Sequence, residues 1–140
     1  MQRKANARWQ GTAKEGGGTL SVQSGTLQDV PYTFKARFGD GKGTNPEELI
    51  AAAHAGCFSM ALAFRLSGAG HPPERLTTKA DLSIVQEAGG WRISAVTLNL
   101  KAKVPGLARA DFLKLAEEAK ATCPVSKVLN AEITLKAELE

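Results

Sequence analysis

The sequence predicts an α+β fold, with small antiparallel sheets around one long, buried central helix. Three observations predict it. Ahead of residue 45, short β-rich runs alternate with glycine-rich turns. From Leu49 to Phe64 there is no Asp, Glu, Lys or Arg. The tail Ile133, Leu135, Ala137, Leu139 alternates with Glu132, Thr134, Lys136 and Glu138, the pattern of a strand with one wet face.

Taken in order, Arg8 to Ala13, Thr19 to Gln23 and Tyr32 to Phe38 read as an antiparallel meander. Lys14-Glu15-Gly16-Gly17-Gly18 and Ser24-Gly25 supply its turns. Gly39-Asp40-Gly41-Lys42-Gly43 then hands over to the central helix. Glu74 to Val85 and Trp91 to Val104 form a second antiparallel pair around Ala88-Gly89-Gly90, and Pro105-Gly106 ends it. Asp111 to Ala121 sets Phe112, Leu115 and Ala119 against Lys114, Glu117, Glu118 and Lys120, which is helical spacing. A short turn of helix from Pro124 to Leu129 precedes the tail strand.

At 140 residues the chain suits a single domain, large enough to bury roughly two-thirds of its unfolded surface. Its net charge of +4 comes from 18 basic and 14 acidic residues scattered without a like-charge run, which argues against a nucleic-acid partner. The basic start Met1 to Arg8 runs into Trp9-Gln10-Gly11-Thr12 rather than an apolar segment, so the cytoplasm is the expected location. The uncharged run falls short of the roughly 20 apolar residues of a membrane span, so no membrane partner is expected and the run reads as a buried helix.

The start of that helix separates two adjacent carboxylates. Asn45 before Pro46 is the expected N-cap, with Pro46 at the first helical position. Glu48 then falls where a carboxylate reaches back to the cap N–H and completes a capping box. Glu47 has no such task and projects within roughly 20° of His54 and about 80° of Cys57, making it the candidate functional carboxylate. Ten residues of helix still separate it from Cys57, about 15 Å, so a long side chain from elsewhere must connect them. The helix is apolar almost all round until Arg65, more than two thin sheets can cover. A homodimer is the expected remedy.

The chain has two cysteines. A reducing cytosol keeps structural disulfides open, so Cys57 and Cys123 are either inert packing or a redox couple. Burial statistics and the small neighbours Ala53, Gly56 and Ala61 favour packing at Cys57. Cys123, followed by Pro124, sits at an expected and accessible N-cap position, where backbone N–H groups favour a thiolate. His54, Cys57, Cys123 and Glu47 are a conceivable zinc set, but no second His or Cys lies close to Cys123 in sequence. His54 reads instead as a core or interface histidine, and no metal is expected. The glycine loops at 16–18 and 39–43 read as turns, and no flavin or nucleotide motif appears, so no cofactor is expected.

The segment Gly43-Thr44-Asn45-Pro46-Glu47-Glu48-Leu49 through His54-Ala55-Gly56-Cys57-Phe58-Ser59-Met60-Ala61, followed by Cys123-Pro124-Val125-Ser126-Lys127-Val128-Leu129, resembles the OsmC branch of the OsmC/Ohr family of hydroperoxide reductases. Trp9, Gly11 and Pro31-Tyr32-x-Phe34-x-x-Arg37-Phe38 fit the same pattern, so the resemblance runs from about Arg8 to the C-terminus. It implies an intertwined homodimer with active sites at the subunit interface, a peroxidatic Cys57, a resolving Cys123, and Arg37 and Glu47 tuning Cys57. His54, where the organic-hydroperoxide branch usually carries an aromatic residue, favours the OsmC branch.

The implied chemistry begins with a Cys57 thiolate, ionised beside Arg37, attacking a peroxide to give a sulfenic acid. Cys123 then closes a disulfide, and an external dithiol, with a lipoyl-type donor as the family's suggestion, restores both thiols. Organic hydroperoxides are the expected substrates, with hydrogen peroxide left open. Two other readings are a dimeric module binding a small apolar ligand and a redox sensor without turnover. Loss of both thiols with stoichiometric peroxide separates the first from the enzyme, and rapid multiple turnover separates the second.

Overall fold

A computed structural model describes all residues from Met1 to Glu140. It divides into two compact units, Met1–Leu49 and Ile50–Glu140.

In the first unit β1 (Ala5–Gln10), β2 (Gly17–Val22) and β3 (Val30–Thr33) form the expected antiparallel meander in the order β1-β2-β3. Gly18 pairs with Trp9 on one side and Tyr32 on the other. A Cβ there would lie 2.2 Å from the Arg8 carbonyl and 2.5 Å from the Tyr32 ring. Glycine is therefore what lets Trp9 and Tyr32 approach to a centroid distance of 5.3 Å.

The expected strand Tyr32 to Phe38 is corrected: it ends at Thr33, and Phe34–Phe38 is a short helix, α1. The cause is local. Thr33 has extended backbone and its hydroxyl accepts the Ala36 N–H at 3.0 Å, so the threonine that suits a strand by propensity acts as an N-cap. Phe34 and Phe38, one turn apart, then stack at 4.8 Å.

The long helix α2 (Pro46–Gly68) starts where the sequence puts it. Asn45 Oδ1 accepts the Glu48 N–H at 2.8 Å, while the Asn45 amide donates to the Ala36 carbonyl at 3.1 Å. One side chain thus caps α2 and ties it to α1. The other half of the capping box is replaced: the Glu48 carboxylate accepts from the buried Thr44 hydroxyl at 2.5 Å.

In the second unit β4 (Arg75–Glu87) and β5 (Gly90–Lys103) form the expected hairpin, with Gly90 at φ +120° in the turn and a bulge between Ser83 and Ile84. The tail strand β6 (Glu132–Leu139) pairs with β5 in parallel, so this sheet is mixed rather than antiparallel throughout. α3 (Arg109–Thr122) and the single turn α4 (Pro124–Val128) precede it.

The core gathers residues at each element's own period. Phe58, Leu62 and Leu66 of α2 recur every fourth position; Val96, Leu98, Leu100 and Ala102 of β5 every second; and Phe112, Ala116 and Ala119 of α3 at helical spacing. Each large side chain buried this way contributes about 1.5–3 kcal/mol relative to exposure.

As the all-round apolar sequence anticipates, this chain's own elements do not cover α2 on every side. Only the stripe His54, Phe58, Leu62 and Leu66 is fully buried, because this unit's sheet and helices lie on one side. On the opposite stripe Ala53 and Gly56 are exposed, and Met60 and Phe64 are 75% and 83% exposed. By length and composition α2 is also long and apolar enough to cross a membrane, since the helix outruns its uncharged stretch at both ends.

Candidate active site

The residues singled out by sequence form two clusters, one in each unit. In the first unit Arg37 projects from α1 and Glu47 from the first turn of α2. The guanidinium grips the carboxylate through two nitrogens, Nε to Oε1 at 3.0 Å and Nη2 to Oε1 at 2.6 Å. Such a fork fixes direction as well as charge. The Arg37 guanidinium also lies 4.9 Å from the centroid of the Phe38 ring, a cation–π position. Arg37 and Phe38, with Trp9, Tyr32, Phe34 and Pro46, border a cavity of about 270 Å³.

In the second unit Cys57 of α2 meets Cys123, the residue that ends α3 and begins α4. Both are free thiols, with the sulfurs 3.0 Å apart and sharing a hydrogen bond. A covalent S–S bond is about 2.05 Å, so the pair is reduced and close to bonding distance. The expected accessibility is reversed. Cys123 is fully buried, because the last turn of α3 and the β5 core close over the joint, whereas Cys57 is partly exposed.

Cys57 opens onto an apolar cavity of about 650 Å³ bordered by Met60, Phe64, Arg65, Leu115 and Pro124. Arg65 is held at its wall, donating to Glu118 at 2.8 Å and to the Thr122 hydroxyl at 3.0 Å. These contacts clamp the last turns of α3 just before Cys123.

The two thiols are driven apart in acidity. Burial pushes Cys57 up, and its hydrogen bond to Cys123 pushes it further, against a smaller opposing pull from the Val125 N–H. Burial would raise Cys123 too, but the hydrogen bond with Cys57, the Ser126 N–H and hydroxyl, and the Val125 N–H outweigh it and bring Cys123 down. Those amides face the sulfur without closing a cap hydrogen bond. The surrounding hydrogen bonds thus favour charge on Cys123, in the direction its helix-start position predicts. For Cys57 to carry the charge, a cation must be brought to it.

His54 is fully buried, and burial lowers its pKa. Its Nε2 lies 2.8 Å from Ser126 Oγ. No three His, Cys, Asp or Glu side chains converge on a metal position. Sequence reasoning gave Ser126 no role and missed the Arg65–Glu118–Thr122 clamp. The signal for Ser126 was its spacing: it stands three residues after Cys123 as His54 stands three before Cys57.

The sequence model of the family described as OsmC-like protein matches residues 39–138. The Peroxiredoxin OsmC of Escherichia coli (strain K12) is 47% identical over 140 residues, covering 100% of this chain and 98% of that protein. The Organic hydroperoxide resistance protein of Xanthomonas axonopodis pv. citri (strain 306) is 30% identical over 129 residues, 89% of each. Among solved structures, the organic hydroperoxide resistance protein OhrB of Bacillus subtilis superposes with a TM-score of 0.74 at 26% identity, covering 99% of this chain and 98% of that one.

Proposed function

Because this chain belongs to the OsmC-like family, we propose that it is a thiol-dependent hydroperoxide reductase, a cysteine-based peroxidase whose attacking sulfur is Cys57 and whose resolving sulfur is Cys123. One observation carries the assignment of roles: Cys57 reaches an apolar cavity while its partner at 3.0 Å is fully buried. The relatives named for peroxide chemistry support the reaction class.

The Cys57 thiolate attacks the outer oxygen of a hydroperoxide, the O–O bond breaks, and an alkoxide leaves to be protonated to the alcohol. Cys57 is left as a sulfenic acid. Burial opposes that thiolate, and the cation assigned to offset it is Arg37, held in direction by Glu47. Cys123 then displaces the sulfenic oxygen as water and closes an intramolecular disulfide before a second peroxide can arrive. An external dithiol, of lipoyl type or another small donor, reduces it. The apolar border of the cavity favours organic hydroperoxides over hydrogen peroxide.

The working form is a homodimer, since the exposed stripe through Met60 and Phe64 needs a cover. The whole chain acts as one OsmC-like domain, and a reducing cytoplasm is the compartment that suits the cycle. Counting free thiols after addition of one equivalent of cumene hydroperoxide tests the proposal. Loss of both thiols per chain, reversed by a dithiol over many turnovers, is expected. Peroxide that leaves both thiols intact would overturn it.

A further inference from the structure

His54 stands three residues before Cys57 on α2, and Ser126 three residues after Cys123 on α4, so each pair shares a helix face. The two elements therefore meet through two rungs, the sulfur pair at 3.0 Å and His54 Nε2 to Ser126 Oγ at 2.8 Å. The first rung carries the proposed chemistry; the second has no assigned role.

The unusual feature of the second rung is an orphan. His54 is fully buried, yet its Nδ1 has no hydrogen-bond partner. Burial keeps the ring neutral, so one nitrogen bears hydrogen and the other does not. With the hydrogen on Nδ1, a buried N–H would be left unpaired, the rarer kind of orphan. With it on Nε2, only a bare acceptor is unpaired and Nε2–H donates to Ser126 Oγ. The Ser126 hydroxyl, within the single turn of α4 that Cys123 begins, is then free to donate toward that sulfur, whose acidity it raises.

We propose that His54, acting through Ser126, is a positioning residue for Cys123, the end of a buried donor chain from imidazole N–H to serine O–H to sulfur that favours the Cys123 thiolate in the second half of the catalytic cycle. The proposal rests on the function assigned above. A chain of donors stabilises S⁻ and offers nothing to S–H. In resolution, the Cys123 thiolate attacks the Cys57 sulfenic sulfur, the S–S bond forms, and the S–O pair leaves with hydroxide, which takes a proton from solvent to become water. In reduction, a thiolate of the external dithiol attacks Cys57, the partly exposed sulfur. The S–S pair then stays on Cys123, which departs as thiolate. The donor's second thiol next displaces Cys57, so the dithiol loses two electrons and both cysteines return to their starting state. Thiols of lower pKa leave more readily, so one chain of donors serves both steps.

The test separates the half-reactions by rapid mixing and titrates Cys123 independently. Ser126→Ala should oxidise with peroxide at close to the wild-type rate but close the disulfide about tenfold more slowly, with Ser126→Thr restoring the rate. In a Cys57→Ser background, thiolate absorbance should show the Cys123 titration moved up by about one pH unit in Ser126→Ala. Of the other charged groups on α3 and α4, Glu118 is paired with Arg65 and Lys120 with Glu117, while Arg109, Asp111, Lys114 and Lys127 are exposed. None changes in these variants. His54→Leu should behave as Ser126→Ala does, and His54→Gln, which keeps an N–H donor, should lie nearer wild type. Wild-type closure and an unmoved titration in Ser126→Ala, or wild-type closure in His54→Leu, would overturn the proposal. A wild-type protein inert to peroxide would refute the assigned function alone, because the Cys123 titration still decides the donor chain.

Discussion

Glu47 and Glu48 are neighbours in sequence and face different partners: Glu47 is gripped by the Arg37 guanidinium, and Glu48 accepts from the Thr44 hydroxyl at 2.5 Å. A helix turns about 100° per residue, which points these two adjacent carboxylates toward different neighbours. The division separates an electrostatic task from a structural one.

Glu48→Ala should lower stability by about 1–3 kcal/mol, the cost of leaving the buried Thr44 hydroxyl without its partner, and leave peroxide reduction near wild type. Glu47→Ala should do the reverse, because an undirected Arg37 leaves the reacting geometry less populated: the second-order rate should fall tenfold or more with little change in melting temperature. A crippled Glu48→Ala beside a normal Glu47→Ala would reverse the assignment.

Cys57→Ser should abolish peroxide consumption. Cys123→Ser should consume about one equivalent and then accumulate a sulfenic acid, which a dimedone-type probe traps and mass spectrometry locates at Cys57. Trapping at Cys123 in Cys57→Ser would exchange the two roles.

The exposed stripe of α2 gives a prediction about assembly. Phe64→Glu with Met60→Glu should weaken the proposed dimer strongly, seen as a shift to monomer in sedimentation velocity, because a partner covering this stripe would desolvate both charges. A wild-type protein that sediments as a folded monomer would remove the dimer from the mechanism.

Acid sensitivity should trace to one ring. Burial lowers the pKa of His54 in the folded state, so between that value and the unfolded value of about 6.5 the unfolded chain binds more protons. Stability from this group is therefore complete above about pH 6.5 and is lost as pH falls through the window. Denaturant midpoints measured from pH 7.5 down to 5 should decline in wild type and stay flatter in His54→Gln.

Much of this was legible in local signals. Asn45-Pro46 fixed the start of α2, the alternating tail marked β6, and the Ala88-Gly89-Gly90 turn marked the β4–β5 hairpin. What was misread turned on choices that local propensity does not make. Thr33 suits a strand and a cap equally, and the Ala36 amide decides between them. The parallel direction of β6 depends on where α3 and α4 return the chain. Arg37 and Glu47 were identified by motif, and their forked contact follows from α1, an element the sequence reading missed. The burial of Cys123 was invisible because a helix-start position suggests exposure, and only the packed core shows it closed over. Ser126 was visible in the sequence but meaningless without the facing helix.

Cys123 closes one helix and opens the next. Its N–H donates to the Ala119 carbonyl at 2.9 Å, and its own carbonyl accepts the Lys127 N–H at 3.0 Å. Any displacement of its sulfur toward Cys57 is therefore passed to two amides at once, one ending α3 and one holding the single turn of α4. With Ala119 locked in the core, α4 is the side free to give. Deuterium uptake at the Lys127 amide should therefore differ between the dithiol and disulfide forms, a difference readable without labelling either sulfur.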